Sequence, residues 1–382
     1  MKRKICIITT NRAEFGQLKK LVQLIKRSKK SQLQLVVTGS HLEKKYGYTI
    51  KEIENNNIKI TSKIKLNLKN KNKFYQIRLF NDFFRKVTQV LIKLKPDIVL
   101  VLGDRFEILS VAQSCFFLEI PLAHLHGGEI TEGVIDDTIR HLVTKMADLH
   151  FVANRIFKNR VLRLGEDSEN VYNFGSLTAE QAYNLILFKK EYLENRFKFK
   201  FRKRNILICL HPVRSLLENK RVINSVNKIL EKFNDVFFIF TSPNFDEHSE
   251  LFQNFIKNSL KKNKNCYYVK SFGYENFLST LKHVDCIMGN SSSGITEAPI
   301  LKVPTINIGN RQAGRPFSKS IINASSNYKS ILSAVNKIYS KNKNKNFKSY
   351  YYKKNTSKNI LQILEDKNLK NIKNKFFNDF AR

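Results

Sequence analysis

Two kinds of hydrophobic pattern alternate along this chain. Short, almost continuous apolar runs such as residues 4–10 are followed by longer stretches such as 16–25, in which Leu18, Leu21 and Ile25 recur at helical spacing. Continuous runs of this length are typical of strands buried on both faces, and the three-to-four spacing is typical of the helices that cover them. The pattern therefore predicts an α/β fold built on parallel sheets.

The alternation occurs in two consecutive series. The predicted strands are residues 4–10, 33–38, 97–102, 120–125, 149–153 and 171–174 in the first series, and 206–210, 236–240, 266–269, 286–288 and 305–308 in the second. The predicted helices include residues 107–118, 136–146, 155–164, 225–233, 249–260, 274–283 and 294–301. A length of 382 residues exceeds what one hydrophobic core usually supports. We therefore predict two Rossmann-like, doubly wound domains, 1–180 and 181–350, and a helical tail, 351–382, that packs back on the first domain.

The cysteines and the N-terminus indicate a cytoplasmic protein. The five cysteines form no Cys-x-x-Cys pair and four lie in predicted strands, which favours buried thiols over disulfides or a zinc site. The apolar run after the basic N-terminus covers only residues 5–8, too short for a signal peptide or a membrane span. We expect no membrane association and no bound metal.

The net charge of +36 raises a nucleic-acid hypothesis, because neutralising phosphates is the commonest source of such binding. The lysines, however, alternate with asparagines in runs such as 69–73 and 341–345 and are spread over the whole chain. No basic stripe interleaved with aromatic residues is evident. An ordinary solvated surface explains the composition more simply, so we expect no nucleic-acid partner.

Candidate chemistry follows the predicted strands, since ligands of doubly wound sheets bind beyond the carboxyl ends of the strands. In the first series these positions hold carboxylates and histidines, most densely in residues 124–141, which include three histidines and an arginine. In the second series they hold hydroxyls, glycines and an arginine. We therefore expect proton-transfer chemistry in the first half of the chain and anion binding in the second.

Residues 289–294, Gly-Asn-Ser-Ser-Ser-Gly, precede a predicted helix. Small residues at a helix N-terminus let backbone N–H groups and hydroxyls reach a phosphate, and Glu297 could then accept hydrogen bonds from the two hydroxyls of a ribose. Helix capping by the serines, with Glu297 favoured by the helix dipole, explains the same residues, and both interpretations stay open here. The chain has no Walker A lysine pattern and no Gly-x-Gly-x-x-Gly after the first strand, which argues against kinase-like and dinucleotide-binding functions.

One set of strand-end motifs has to be considered as a whole. It consists of Arg12, Gly39-x-His41, Gly103-Asp-Arg105, Gly127-Gly-Glu129, Asp136-Asp137-x-x-Arg140-His141, His211-Pro212, Gly289-Asn-Ser-Ser292, Glu297 and Gly309-x-Arg311-Gln312. In order and approximate spacing, from residue 5 to 315, this set resembles the hydrolysing UDP-N-acetylglucosamine 2-epimerases of nonulosonate (sialic and legionaminic acid) biosynthesis. Each motif is weak alone, but jointly they are specific. The resemblance implies a glycosyltransferase-B-like fold, an active site in the interdomain cleft, and a homodimer.

The resemblance also implies a mechanism that needs no redox cofactor or metal. UDP leaves C1 and a proton leaves C2 to give a glycal, and water then adds with inversion at C2, releasing N-acetylmannosamine and UDP. By position, the implied catalytic residues are Asp104, His126, Glu129, Asp136 and Asp137. The residues implied to bind the substrate or its nucleotide are Arg12, His41, Arg140, His211, Ser291, Ser292, Glu297 and Arg311.

Several alternatives stay open. Asp104 could instead cap the following helix, and Asp136 and Asp137 could be charges at a helix start that pair with an arginine four residues on. The third acid of better-known family members stands where this chain has His126, so either His126 or Glu129 could take its role. The substrate could also be UDP- or GDP-N,N'-diacetylbacillosamine. A glycosyltransferase of the same architecture would share the nucleotide-binding half without needing several acids at the sugar.

Overall fold

The computed structural model describes residues 2–44, 47–66, 73–132, 134–243, 248–340 and 347–379. The lysine- and asparagine-rich runs 69–73 and 341–345, apart from Lys73, and the last residues of the tail, 380–382, lie outside these ranges. The chain forms two compact units. Unit 1 comprises Met1–Glu129, Ile135–Glu180 and Lys353–Arg382, and unit 2 comprises Ile130–Val134 and Gln181–Tyr352.

Unit 1 is built on one sheet. Its strands are β1 (Arg3–Thr9), β2 (Ser31–Thr38), β3 (Ser62–Ile64), β4 (Ile98–Leu102), β5 (Leu122–Leu125), β6 (Leu149–Val152) and β7 (Val171–Asn173). They are all parallel, in the order β3-β2-β1-β4-β5-β6-β7. Ile5 and Ile7 enter the hydrophobic core on one face and Cys6 and Ile8 the core on the other, because successive side chains of a strand point to opposite faces. Burial of both faces explains the continuous apolar runs.

Helices cover both faces of this sheet. They are α1 (Arg12–Arg27), α2 (Ile50–Glu54), α3 (Lys73–Leu94), α4 (Phe106–Phe117), α5 (Ile135–Met146), α6 (Arg155–Arg163), α7 (Leu177–Asn184), which runs on into unit 2, and α14 (Thr356–Asp366). Asn11 begins α1 by accepting a hydrogen bond from the backbone N–H of Glu14. The tail helix α14 buries Ile360 and Leu364 in the core that also contains the apolar side of α1.

Unit 2 contains the second sheet. Its strands are β8 (Arg204–Cys209), β9 (Val236–Thr241), β10 (Cys266–Val269), β11 (Cys286–Gly289), β12 (Thr305–Ile308) and β13 (Ile321–Ala324). They are parallel, in the order β10-β9-β8-β11-β12-β13. The helices are α8 (Lys190–Phe197), α9 (Leu216–Lys232), α10 (Ser249–Lys262), α11 (Tyr274–Lys282), α12 (Ser293–Thr296) and α13 (Tyr328–Tyr339).

The predicted fold class of two parallel-sheet α/β domains is confirmed. The sequence patterns missed the strands β3 and β13 and the helices α2, α3, α7, α8 and α13. The helix predicted over residues 294–301 was wrong, since α12 ends after one turn at Thr296. Pro299 explains the early end, because it lacks a backbone N–H and disfavours the helical conformation of the residue before it.

Two further predictions concern thiols and membranes. All five cysteines are buried and free, as predicted. Among the helices that the structure describes, none is long and apolar enough to cross a membrane.

Candidate active site

Arg140 organises the acidic residues of unit 1. Its side chain is almost fully buried in α5, and Nη1 donates to the Glu129 carbonyl and to Asp137 Oδ1, both at 3.0 Å. Nη2 donates to the carboxylate of Asp104, which follows β4. One guanidinium therefore joins the loop after β4, the loop after β5 and the first turn of α5. We call Asp104, His126, Glu129, Asp136, Asp137 and Arg140 the acid cluster.

His126 and Glu129 form a close pair within the acid cluster. His126 Nδ1 lies 2.6 Å from Glu129 Oε1, and the two side chains are 16% and 8% exposed. His126 has a φ of +68°, a left-handed conformation that is uncommon outside glycine. Its backbone N–H donates to the carbonyl of Phe151 in β6 at 3.1 Å. The loop after β5 is thus fixed both to the sheet and to its own carboxylate.

Gly128 allows this loop to pack against α6. It has a φ of +74°, and a Cβ at this position would lie 2.4 Å from the carbonyl oxygen of Phe157. Arg160 also donates from Nη1 to the Gly128 carbonyl at 3.2 Å. Any side chain at Gly128 would therefore push the loop, and with it the His126–Glu129 pair, away from α6.

His124 supports the position of Asp104. It is fully buried, and burial lowers its pKa to about 3, so the imidazole is neutral near pH 7. Nε2 lies 2.8 Å from the carbonyl of Gly103, which directly precedes Asp104, and Nδ1 lies 3.2 Å from Thr144 Oγ1. Only a protonated nitrogen can bond to a carbonyl, so Nε2 carries the proton. The sequence patterns had not separated this positioning role from the other histidines of the segment.

A second group of charges lies at the start of α1 and α4. Arg105 belongs to the set of strand-end motifs, whereas Glu14 and Glu107 were not among the predicted site residues. Arg105 donates from Nε to Glu107 Oε2 at 3.2 Å, and Glu107 is buried. The charges of Glu107, Glu14 and, less strongly, Asp136 raise the pKa of Arg105, against the effect of burial. Asp136, which is partly buried in the first turn of α5, therefore lies within electrostatic reach of Arg105.

Glu14 is the least expected of these carboxylates. It is buried and accepts hydrogen bonds from the backbone N–H of Thr10 at 2.8 Å, the Thr10 hydroxyl at 2.7 Å and Asn11 Nδ2 at 2.7 Å. Burial raises its pKa to about 7, although Arg105 and the Thr10 bonds act in the opposite direction. The spacing Asn11-x-x-Glu14 at a helix start was the signal that could have found it, because a capping box has this form.

Arg12 and His41 are placed apart from the acid cluster. Arg12 is 42% exposed and its Nη1 lies 3.8 Å from Glu52 Oε1. His41 is fully buried between Thr9 Oγ1, at 3.1 Å from Nε2, and Thr49 Oγ1, at 2.8 Å from Nδ1, and burial lowers its pKa to about 4. In the described part of the chain, neither forms a hydrogen bond or ion pair with the acid cluster.

In unit 2, Asn290 joins the ends of three neighbouring strands. Its side chain exchanges two hydrogen bonds with the backbone of His211, and its carbonyl accepts from Arg311 Nη1 at 3.1 Å and Gln312 Nε2 at 2.9 Å. The residues after β8, β11 and β12 therefore form one connected edge. Burial, with a smaller effect of the Arg311 charge, lowers the pKa of His211 to about 3, so this imidazole is neutral.

The serine loop follows β11 at this edge. Gly289 has a φ of +146°, and a Cβ there would lie 2.0 Å from the carbonyl oxygen of Cys209. Ser292 is exposed and its side chain makes no cap hydrogen bond with α12, whereas Ser291 Oγ accepts from the N–H of Ser293 at 3.4 Å. Glu297 is buried at the C-terminal end of α12, so it is not a charge in a first turn. Capping therefore does not explain Ser292 or Glu297.

Ile130 and Thr131 also belong to unit 2. Arg315 holds these two residues, donating from Nε to the Ile130 carbonyl at 2.9 Å and from Nη2 to Thr131 Oγ1 at 3.2 Å. In the residues that the structure describes, no three His, Cys, Asp or Glu side chains are grouped as metal ligands.

Comparison with known proteins gives a consistent result. The sequence profile of a family described as UDP-N-acetylglucosamine 2-epimerase matches residues 23–365. The chain is 40% identical over 328 residues to the GDP/UDP-N,N'-diacetylbacillosamine 2-epimerase (hydrolyzing) of Campylobacter jejuni subsp. jejuni, covering 85% of each chain. It is 35% identical over 396 residues to polysialic acid biosynthesis protein P7 of Escherichia coli, covering 99% of this chain and 97% of that one.

Solved structures share the fold. The UDP-GlcNAc 2-epimerase of Neisseria meningitidis bound to UDP-GlcNAc superposes with a TM-score of 0.79 at 19% identity, covering 94% of this chain and 99% of that one. The UDP-GlcNAc 2-epimerase of Methanocaldococcus jannaschii in complex with UDP-GlcNAc and UDP superposes with a TM-score of 0.78 at 23% identity, with the same coverage. At these identities the structures establish only the glycosyltransferase-B-like architecture of two parallel-sheet domains.

Proposed function

Because this chain belongs to the UDP-N-acetylglucosamine 2-epimerase family and is a sugar-nucleotide 2-epimerase, we propose that it is a hydrolysing enzyme that releases UDP and the 2-epimer of the sugar. The observation that carries the proposal is the arrangement around Arg140, which holds the Asp104 carboxylate, the Asp137 carboxylate and the loop of Glu129. Removing a proton from C2 and returning one to its other face requires several such groups at one sugar. A glycosyltransferase does not require them.

The proposed reaction begins with elimination. Because the C2 hydrogen is weakly acidic, cleavage of the C1–O bond runs ahead of proton removal. The C1–O electron pair leaves with the diphosphate, a carboxylate takes the C2 proton, and the C2–H electron pair becomes the C1=C2 bond of a glycal. Asp104 suits the base, because the guanidinium of Arg140 favours its ionised form. A well-placed base contributes roughly 10²- to 10⁴-fold.

Unit 2 is proposed to bind the nucleotide. Arg311 and the hydroxyls of Ser291 and Ser292 would meet the charge that develops on the leaving diphosphate, and Glu297 would accept hydrogen bonds from the ribose. The neutral imidazole of His211 lies beside Arg311 and adds no competing charge. Unit 1 would then handle the protons and unit 2 the leaving group, and the scheme needs neither a metal nor a redox cofactor.

Two sugars are candidates for the substrate. The sequence motifs favour UDP-N-acetylglucosamine, which would give N-acetylmannosamine. The relative at 40% identity favours N,N'-diacetylbacillosamine linked to UDP or GDP, which carries a second acetamido group and lacks the hydroxyl at C6. Either product would supply nonulosonate (sialic or legionaminic acid) biosynthesis.

We further propose that the protein is a cytoplasmic homodimer. Sedimentation analysis would measure its stoichiometry.

Incubation with the three sugar nucleotides in deuterated water, followed by NMR of the products, tests the proposal. We expect free UDP or GDP and a free sugar without any acceptor, with solvent deuterium at C2 of the sugar. Product that keeps its C2 proton would exclude elimination and re-addition. Nucleotide release only in the presence of an acceptor would indicate a glycosyltransferase.

A further inference from the structure

The contact between His126 and Glu129 defines which nitrogen of the imidazole is available. Nδ1 lies 2.6 Å from Glu129 Oε1, and an ionised carboxylate can only accept hydrogen bonds. With Glu129 ionised, Nδ1 donates to Oε1 and carries a proton, so the proton that the ring can exchange is the one on Nε2. Within the described residues, Nε2 makes no hydrogen bond with the protein.

The backbone also directs the imidazole. The left-handed conformation of His126, with a φ of +68°, is unfavourable for a residue with a side chain. A glycine at position 126 would adopt this conformation without that penalty. A histidine that is held here against its preference, by Phe151 on one side and Glu129 on the other, indicates a function of the side chain.

The two parts of the acid cluster differ in their partners. Arg140 is bonded to both Asp104 and Asp137, so the oxygens of these carboxylates face a cation. Glu129 is instead bonded to His126, so one carboxylate of the cluster holds an imidazole in place. The imidazole is therefore the one side chain of the acid cluster that is positioned by a carboxylate and can carry a proton on its far nitrogen.

We propose that His126 is the acid that protonates C2 of the glycal through Nε2, and that Glu129 is a positioning residue that orients and stabilises the imidazolium without touching the sugar. The inference rests on the proposed function. The Nε2 proton goes to C2, the electron pair of the C1=C2 bond forms the new C–H bond, and the oxygen of a water molecule bonds to C1. That water molecule keeps one proton as part of the new C1 hydroxyl and gives the other to a carboxylate, which releases it to solvent. The neutral imidazole takes a new proton from solvent, which accounts for deuterium at C2.

The test follows the two halves of the reaction separately in His126→Gly. Glycine adopts the left-handed conformation without cost, so the variant should fold at least as well as the native enzyme. Elimination should continue, with UDP release slowed less than about tenfold, while formation of the epimerised sugar falls by about 100-fold or more. The glycal should accumulate in the NMR spectrum. His126→Asn, which also tolerates the left-handed conformation, should behave in the same way.

Glu129→Gln tests the positioning role. The amide keeps the shape of the side chain but removes the charge that stabilises the imidazolium. We expect this variant to accumulate less glycal than the His126 variants do. Sugar formation should be about tenfold to a hundredfold slower than in the native enzyme, and KM should be unchanged. Glu119→Gly is the matched control for His126→Gly, because Glu119 is also a residue with a positive φ, +53°, but is exposed in the loop before β5. This control should release only the epimerised sugar at the native rate.

The outcomes are distinct. If His126→Gly and His126→Asn release neither UDP nor glycal, or form the sugar at the native rate, His126 is not the acid at C2. If Glu129→Gln loses UDP release as completely as Asp104→Asn, Glu129 takes part in elimination and the positioning role is wrong. Failure of the native enzyme to form any epimerised sugar would instead overturn the proposed function itself.

Discussion

Asn290 and His211 are joined by reciprocal hydrogen bonds across the carboxyl ends of two neighbouring strands. The Asn290 Oδ1 accepts from the His211 backbone N–H at 2.7 Å, and Nδ2 donates to the His211 carbonyl at 2.8 Å. The same residue uses its own carbonyl to hold Arg311. The geometry of the candidate nucleotide-binding edge therefore depends on an amide that offers one donor and one acceptor.

Asn290→Asp should destabilise this edge. The substitution replaces the donor that faces the His211 carbonyl with a second acceptor, which we expect to lower the free energy of unfolding by about 1–3 kcal/mol. UDP affinity should fall with it, because the loop whose Asn290 carbonyl holds Arg311 is no longer fixed to His211 by both side-chain hydrogen bonds. Denaturant unfolding and calorimetric titration measure the two effects. Asn254→Asp, on the exposed side of α10, is the control and should change neither; equal stability of Asn290→Asp and the native enzyme would contradict the argument.

Arg311→Ala and Ser292→Ala should weaken UDP binding and leave the fold intact. A lost charge-assisted hydrogen bond in a largely desolvated site costs about 1.5–3 kcal/mol, roughly ten- to hundredfold in affinity, and the neutral hydroxyl should cost less. Calorimetric titration with UDP gives the comparison. Arg204→Ala, at the opposite end of β8, where Arg204 pairs with Asp235, should keep the native affinity. Unchanged UDP affinity in both test variants would show that the diphosphate does not bind at this edge.

Asp104→Asn and Asp136→Asn should abolish turnover while UDP affinity changes little. An amide at position 104 still accepts a hydrogen bond from Arg140, so the loop should stay in place while proton transfer is lost. We expect the rate to fall by about 10²- to 10⁴-fold. The control is Asp82→Asn, which removes a surface carboxylate of α3 paired with Lys86. A rate loss that is matched by an equal loss of UDP affinity would indicate a binding role instead.

The folded protein should lose stability as the pH falls below neutrality, in part through His124. Burial lowers the pKa of His124 to about 3, while an unfolded histidine titrates near about 6.5. The unfolded state therefore binds the proton first, and the stability that neutral His124 contributes is complete above about pH 6.5 and is lost as the pH falls toward 3. At pH 5 the loss amounts to about 2 kcal/mol. His124→Gln should flatten the dependence of unfolding free energy on pH between 7.5 and 5; parallel curves for the two proteins would refute the assignment.

The apolar runs predicted most of the strands, and the bounds of β10 and β12 agree with the runs at Cys266–Val269 and Thr305–Ile308. Strands buried on both faces leave this signal because every side chain enters a core. The edge strand β13 was missed because three of its four residues are only partly buried or exposed. The helix predicted after residue 293 was too long because a helical spacing of apolar residues continues past Pro299.

By itself, the sequence determined the fold class, the family and the residues that follow each strand, because these depend on local periodicity and on the order of motifs. The tertiary structure decided which of those residues meet. It joined Asp104 to Arg140, paired His126 with Glu129, and buried His41 between two threonines. Strand order and loop conformation bring together groups that are distant along the chain, and hydrogen bonds and burial then set their charge. Neither the partners nor the burial of a side chain can be read from its spacing along the chain.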